Sequence, residues 1–395
     1  PTAVFNFASG VIDRRFVELR STAGTRYNIF GNLETLAAGV AKPTYDPATN
    51  ECKGYLAEPA TTYIAMRSSE LDNGSYWPKS NVTVTPSAAI GIDGAMSAFK
   101  VEAASTAGAY IFRDQPATAE AQYAFVRCKK GSGATDANRF YLFNVTTELM
   151  LAQLTLNYDT GVITQTTGSG ATAEPASGGA WDLRIPVTAG ITIGDTLELA
   201  VAFDGATETA GEFAYIDAPH IADKPNANPY PTAGSNVTTV AGGLTLDLTA
   251  HDEIINPAGF TVVLAVDLGP PTLTTRSILE IGDGSPNNRF TLAAATSAIL
   301  LNQDAGGIPV ASLSLSYVEG RNVIAFSYAA DGSLLFTASG QGVDSDTGVA
   351  GPVIPYLYVG KIFTPGFEFG NPIEHITPFP RACTAGELVA FTRNL

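Results

Sequence analysis

Side chains able to do chemistry are few and scattered in this chain. Histidine occurs only at His220, His251 and His375, and no two share the spacing of a metal pair. Glu280 and Asp283 flank Gly282 in LEIGDGSPNNR. Such acids suit either a hairpin turn or one half of a hydrolytic carboxylate pair. Asp283, Asn287 and Asn288 carry the oxygens that Ca2+ prefers, but without the regular spacing of a calcium loop. A turn is the plainer reading, and a structural Ca2+ there is the sole cofactor candidate. Asp344 and Asp346 in GQGVDSDTG form a similar acidic loop. A Gly-rich phosphate loop, a G-x-S-x-G elbow and an H-E-x-x-H helix are all missing from the sequence. The expectation is a protein that is not an enzyme.

Aromatic side chains are the other resource. A sugar is held by aromatic faces and a few planar polar groups in a shallow groove. The chain has 15 Tyr, 20 Phe and 2 Trp. Those nearest expected loops are Tyr76, Trp77, Tyr110 and Trp181 in the first half and Tyr328, Tyr356 and Tyr358 in the second. These seven are the ligand-binding candidates. The two tryptophans suit a core equally well, since Trp is highly buried on average.

The elements that must position them read as strands. SNVTVTP, AGAYIFRD, EAQYAFVRCKK, NRFYLFNV, AWDLRIPV and DTLELAVAFD alternate or run apolar at sandwich-like spacing. NYDTGVI and ADGSLLF carry hairpin turns at Asp159-Thr160-Gly161 and Asp331-Gly332. The expected class is all-β: an extended N-terminal arm over 1–62, a carbohydrate-binding-module-like antiparallel sandwich over 63–219, a Pro-rich linker over 220–243, and a jelly roll over 244–395. TAGELVAFTRNL predicts a short closing helix, with Thr384 as N-cap and Glu387 completing a capping box. The arm holds short candidates such as AVFNF, RFVEL and RYNIF among turn residues, and no core of its own is evident.

Charge narrows the partners. With 22 Lys and Arg against 38 Asp and Glu, the chain carries −16 and lacks the basic footprint of a nucleic-acid binder. The one compact basic cluster, Arg127 to Lys130 in RCKK, reads as a solvated strand end. No run approaches the ~20 apolar residues of a membrane helix, so membrane insertion is not expected. Three widely spaced cysteines, Cys52, Cys128 and Cys383, do not suggest a disulfide framework. PTAVFNFASGVIDRR lacks a leader pattern. If the protein works outside a cell, the expected exit is by assembly or lysis.

The run GNLETLAAGVAKPTYDPATNECKGYLAEPATTY resembles the leader of virion proteins from tailed phages, prophages and gene transfer agents. It matches at Tyr45, Asp46, Pro47, Thr49, Glu51, Lys53, Gly54, Leu56, Glu58 and Pro59. YWPKSNVTVTP continues the likeness at Trp77, Lys79, Val82, Val84 and Pro86, and PYPTAGSNVTT resembles the family's closing segment. Ala41-Lys42-Pro43 stands where that family has Pro-Arg. YLYVGKIF and NPIEHITPFPRACTAGELVAFT resemble the last strands and helix of a concanavalin-like (laminin-G-like) jelly roll, with Cys383 in the place of a leucine.

The resemblance implies a head-fibre, spike or tail-fibre protein on a particle surface. Residues 1–62 would dock to other virion proteins, and a homotrimer would bind host surface polysaccharide for adsorption. Two alternatives remain open: a structural connector that binds only virion proteins, and a capsular polysaccharide depolymerase with carboxylates about 5–10 Å apart.

Overall fold

A computed structural model describes residues 3–105, 108–131, 137–203, 210–224, 235–239, 241–249, 251, 253–269, 275–347, 354–360 and 369–394. The chain is all-β, built as two antiparallel sandwiches with one short helix at the end. In the first sandwich, sheet I runs in the order Thr172–Ala176, Ala180–Val187, Gln122–Lys130, Phe213–Ala222, Ala98–Ala103, Val82–Ala89. Sheet II runs Ile163–Thr167, Leu149–Asn157, Ala137–Asn144, Thr196–Phe203, Ala109–Pro116, Lys79–Ser80. Alternate residues of both sheets, among them Val101, Ile111, Val126, Leu142, Leu154, Leu183 and Leu199, face inward and form one core. The expected turn at 159–161 is present, with Gly161 at φ +71°, a conformation that costs glycine little.

In the second sandwich, sheet III runs Asp344–Asp346, Leu334–Ala338, Gly320–Ala329, Gly259–Leu268, Pro372–Phe379, Cys52–Leu56, Pro43–Tyr45. Sheet IV runs Val17–Glu18, Leu244–Asp247, Tyr356–Val359, Arg276–Gly282, Arg289–Ala294, Ala298–Ala305, Ile308–Ser316. The hairpin expected at Asp331-Gly332 joins two neighbouring strands, with Gly332 at φ +82°. The helix Ala385–Asn394 starts with the expected box: the Thr384 N–H donates to Glu387 Oε2 at 2.8 Å, and the Glu387 N–H donates to Thr384 Oγ1 at 3.3 Å. Leu388 and Cys383 pack it onto the outer side of sheet III, against Val263 and Val323. Among the described residues no helix is long and apolar enough to cross a membrane.

The first sixty residues do not form a separate arm. Strands from them enter both sheets of the second sandwich: Phe5–Asn6 and Cys52–Leu56 pair with Pro372–Phe379, and Val17–Glu18 pairs with Leu244–Asp247. Phe5, Phe7, Phe16 and Tyr55 sit in that sandwich's core beside Leu264 and Ile376. The physical reason is that short strands without a core must take backbone partners and apolar cover from another segment. The hairpin Gly24–Tyr27/Leu33–Leu36 instead reaches the first sandwich, where Tyr27 and Leu33 cover Phe125, Ile92 and Ala218 on the outside of sheet I. One segment thus touches both sandwiches.

The linker and the basic cluster also differ from expectation. His220 belongs to the strand Phe213–Ala222, buried against Phe125 at 4.8 Å between ring centroids. Burial pushes its imidazole down to about 4, so it stays neutral near pH 7. Val237–Thr239 pairs with Thr61–Tyr63. The rest of the expected linker between Pro225 and Gly234, and the expected strand end Lys361–Phe363, lie outside the described residues. Arg127 is no solvated strand end: its guanidinium makes a buried bidentate pair with Asp182 at 2.6 and 2.8 Å. Tyr27 donates to the same carboxylate at 2.8 Å.

A second buried network holds the N-terminal segment together and ties it to Gly243. Lys42 and Glu58 form an ion pair with both side chains almost wholly excluded from water. Arg20, also buried, donates to Ala37 O and Val40 O at 3.1 and 3.0 Å. Glu18 accepts from Tyr55 Oη at 2.9 Å and from the Gly243 N–H at 3.2 Å. Removing one member of such a pair leaves a charge buried without its counter-ion. Lys42→Met should therefore lower stability by about 3–5 kcal/mol, read by chemical denaturation, and Lys42→Met with Glu58→Leu should recover much of that loss.

Candidate functional site

The outer side of sheet II carries a patch whose residue types and register suit a flat ligand. On the strand Ala109–Pro116, Ala109 and Ile111 point into the core, so Tyr110, Phe112 and Asp114 point out. On Ala137–Asn144, Phe140 and Leu142 point in, so Arg139, Tyr141 and Phe143 point out. Between these strands runs Thr196–Phe203, which turns Leu197, Leu199 and Val201 inward and Glu198, Ala200 and Ala202 outward. The register sets three rows across the sheet: Tyr110–Ala202–Arg139, Phe112–Ala200–Tyr141 and Asp114–Glu198–Phe143.

Two alanines in the central strand make room for the rings on either side. Ala200 and Ala202 are 0% and 2% exposed although they lie on the outer side, because larger neighbours cover them. Tyr110 and Phe112 sit 5.7 Å apart between centroids at 35°. Tyr141 reaches diagonally into the next row to hydrogen-bond Glu198. The four aromatic residues are each half-buried, with one face of the patch left to solvent. Gln153 and Thr155 of the next strand extend it with polar groups, opposite Tyr141 and Arg139.

Asp114 and Glu198 close one end. They are direct cross-strand partners, close enough for each to bear on the other's titration. Both carboxyls are pushed above their ordinary range, first by burial. For Glu198 the Tyr141 hydrogen bond opposes that rise and the nearby Asp114 adds to it. For Asp114 the Arg113 charge opposes it. The Tyr141 phenol is raised by burial and by the Glu198 charge. This end of the patch is built to accept hydrogen bonds.

The seven expected aromatics are spread over the molecule. Tyr110 is the one that lies on this patch. Trp77 is 0% exposed, packed in the first core with Nε1 donating to Arg67 O at 3.2 Å, so it is closed to a ligand. Tyr76 is covered by the Arg67 guanidinium, 3.7 Å from its ring centroid, with Arg113 at 5.7 Å. Trp181 lies against the 158–161 turn, its Nε1 donating to Tyr158 O at 2.8 Å. Tyr328 is buried at 3% exposure among Phe260 and Phe290. Tyr356 and Tyr358 stand 5.9 Å apart on the outer side of sheet IV, beside a buried Glu280 that Arg289 bridges to Asp304.

The calcium candidates are used as turn residues. Asp283 accepts from the Ser285 N–H at 2.9 Å, from Ser285 Oγ at 2.5 Å and from Asn288 Nδ2 at 2.9 Å, so both carboxylate oxygens serve the turn. Asn287 is exposed on that loop, and its amide oxygen lies toward Gly307. Among the described residues no group of three or more His, Cys, Asp or Glu converges as metal ligands. Glu280 is salt-bridged at 3.2 Å to Arg289.

Phe112, Asp114, Tyr141, Phe143 and Glu198 were not singled out by sequence reasoning. Their signal is the period of two in YIFRD, RFYLF and ELAVA, where aromatic or acidic residues alternate with core residues. Reading only loop-proximal aromatics passes over a site in the middle of a sheet.

No protein-family model matches the chain, and no curated protein matches it. Among solved structures, the chain is similar to the Ruminococcus gnavus IT-sialidase CBM40 bound to alpha2,3 sialyllactose, at 16% identity and a TM-score of 0.32, over 38% of this chain and 92% of that one. It is similar also to the receptor-binding domain of botulinum neurotoxin C/D mosaic serotype, at 10% identity and a TM-score of 0.30, over 38% of this chain and 40% of that one. At these TM-scores the likeness carries no argument about ligand or activity.

The raised carboxyls give a signed expectation. A carboxyl whose folded value lies above its unfolded one favours folding at low pH and loses that contribution as pH rises through the folded value. Asp114→Asn with Glu198→Gln should therefore stabilise the protein slightly at pH 7, chiefly by removing two partly desolvated carboxylates, and the gain should vanish below the unfolded carboxyl values, by about pH 3. Thermal melts of both proteins across that range check it.

Proposed function

We propose that this protein is a glycan-binding component of a phage-like particle, presented on the particle surface and engaging host polysaccharide for adsorption. The observation that carries the reading is the outer patch of sheet II: Tyr110, Phe112, Tyr141 and Phe143 on one side of a rigid sheet, with Asp114 and Glu198 at its end. Sugar rings present apolar C–H faces and hydroxyl edges, and half-buried aromatic rings beside hydrogen-bond acceptors complement both. A site held on strand centres is already organised before the ligand arrives, which lowers the entropy cost of binding.

The particle location is supported by the resemblance of the 31–63 leader and its continuation to virion proteins. One shallow patch gives modest affinity, so a homo-oligomer that presents several copies together would raise avidity by ~10²–10⁴. Most of residues 1–62 is occupied in holding the two sandwiches. One part left free to dock is the tip of the hairpin, where Ile29 and Phe30 are 57% and 72% exposed. The tip abuts the 90–96 loop, with the Leu33 N–H on Ile92 O at 2.7 Å, and Ile90 and Met96 there are 69% and 55% exposed. This apolar surface favours the second reading, a connector that binds other virion proteins, and is compatible with the first.

The two readings separate by mutation. Tyr110→Ala and Tyr141→Ala should each weaken binding to the host polysaccharide by about tenfold or more, measured by calorimetry, with little change in melting temperature because both rings lie outside the core. Phe30→Ser should leave that binding intact and reduce incorporation into particles. Unchanged polysaccharide binding in both tyrosine variants removes the patch as the site, and no binding by the wild type removes the glycan reading and leaves the connector.

A further inference from the structure

The acid pair at the end of the patch bears on which sugars it admits. Asp114 is exposed and Glu198 half-buried, and both lie in the row that Phe143 completes. Tyr141 already donates its hydroxyl to Glu198, so the remaining carboxyl lone pairs face the ligand as acceptors. Hydroxyl and ammonium groups are donors that satisfy them. A carboxylate placed there meets a like charge next to apolar rings, where water screens it poorly. The outward cation of the patch, Arg139, stands four residues back along the strand from Phe143, roughly 13 Å away at about 3.3 Å per residue. That is a backbone spacing beyond the Debye length in physiological salt, about 8 Å, and the Arg139 charge is felt at Tyr141, so Arg139 offsets the acids only in part. Arg113, next to Asp114 in the chain, faces the other way and donates to Tyr76 O and Ala65 O at 2.7 and 3.2 Å. The net charge of −16 adds a long-range field of the same sign.

We infer that this patch selects uncharged or amine-bearing polysaccharide chains and rejects chains that carry a carboxylate on every sugar, with Asp114 and Glu198 as the specificity-determining residues. A chain long enough to cover the three rows from Arg139 to Phe143 must set some sugar beside the pair. A uniformly acidic chain therefore always meets it, whereas a neutral or amino-sugar chain always finds acceptors. The selection acts by repulsion of the wrong ligand as much as by attraction of the right one. This inference rests on the glycan-binding reading above.

The experiment compares hexasaccharides of equal length on the full chain: a cello-oligosaccharide, a chitosan oligosaccharide and an oligogalacturonate. Wild type should bind at least one of the first two about tenfold or more tighter than the oligogalacturonate in 0.15 M salt. Asp114→Asn with Glu198→Gln should bring the acidic chain to within about threefold of the neutral one, and 0.5 M salt should shrink the wild-type ratio in the same direction. Oligogalacturonate bound as tightly as the others by wild type, with binding lost in Tyr141→Ala, overturns the selection and keeps the glycan reading. A ratio unchanged in the double variant also overturns it. No binding of any of the three, or of host polysaccharide, overturns both.

Discussion

The structure depends on one obligation: every buried backbone and charged group in the first sixty residues needs a partner, and that segment supplies only some of them itself. Its answer is to lend strands to the second sandwich and a hairpin to the first. The Lys42–Glu58 pair is the innermost knot of this arrangement. Around it Arg20 closes onto Ala37 O and Val40 O, and Glu18 ties Tyr55 to the Gly243 N–H. The Arg127–Asp182–Tyr27 network does the corresponding work on the hairpin's side. Burying an ion pair is a weak way to gain stability, because desolvation offsets the attraction. It is an effective way to fix register, because any slip leaves a charge without its mate. Each network has one link to a residue far away in sequence, Glu18 to Gly243 and Tyr27 to Asp182, where the N-terminal segment meets a sandwich.

The same logic shapes the patch. A sheet between core and solvent has one side committed to packing and one side free. In sheet II the free side is not uniformly polar. Two small residues in the central strand leave space for rings from the strands on either side, and the rings cover them. The core beneath, with Leu142, Leu199 and Ile111, holds the backbone that aims those rings. Binding chemistry on such a surface needs no loop movement and no metal. It needs the alternation of side chains and the order of the strands.

Comparison of the seven loop-proximal aromatics with the patch shows where sequence reasoning loses resolution. Tyr110 lies on the patch because its strand neighbours Ala109 and Ile111 are core residues. Trp77 and Tyr328 are large, apolar and near expected loops, yet the core claimed them. Loop proximity measures distance along the chain, and burial is decided by what crosses above a residue from elsewhere. Asp283 was equally ambiguous until the Ser285 and Asn288 bonds showed its oxygens serving the turn.

What the sequence by itself determined is local. Period-two runs made the strands, Gly161 and Gly332 made two turns, and Thr384 with Glu387 started the one helix, because each of these depends on residues within a few positions. The all-β class followed from their sum. What only the tertiary structure decided is pairing. Nothing in AVFNF says that Phe5 lies opposite Ile376, and nothing in KPTY says that Lys42 meets Glu58 out of water. Nor does ELAVA reveal that Ala200 will lie between Phe112 and Tyr141. Strand partners far apart in the chain are chosen by the joint burial of whole faces, a quantity that no short stretch of sequence contains.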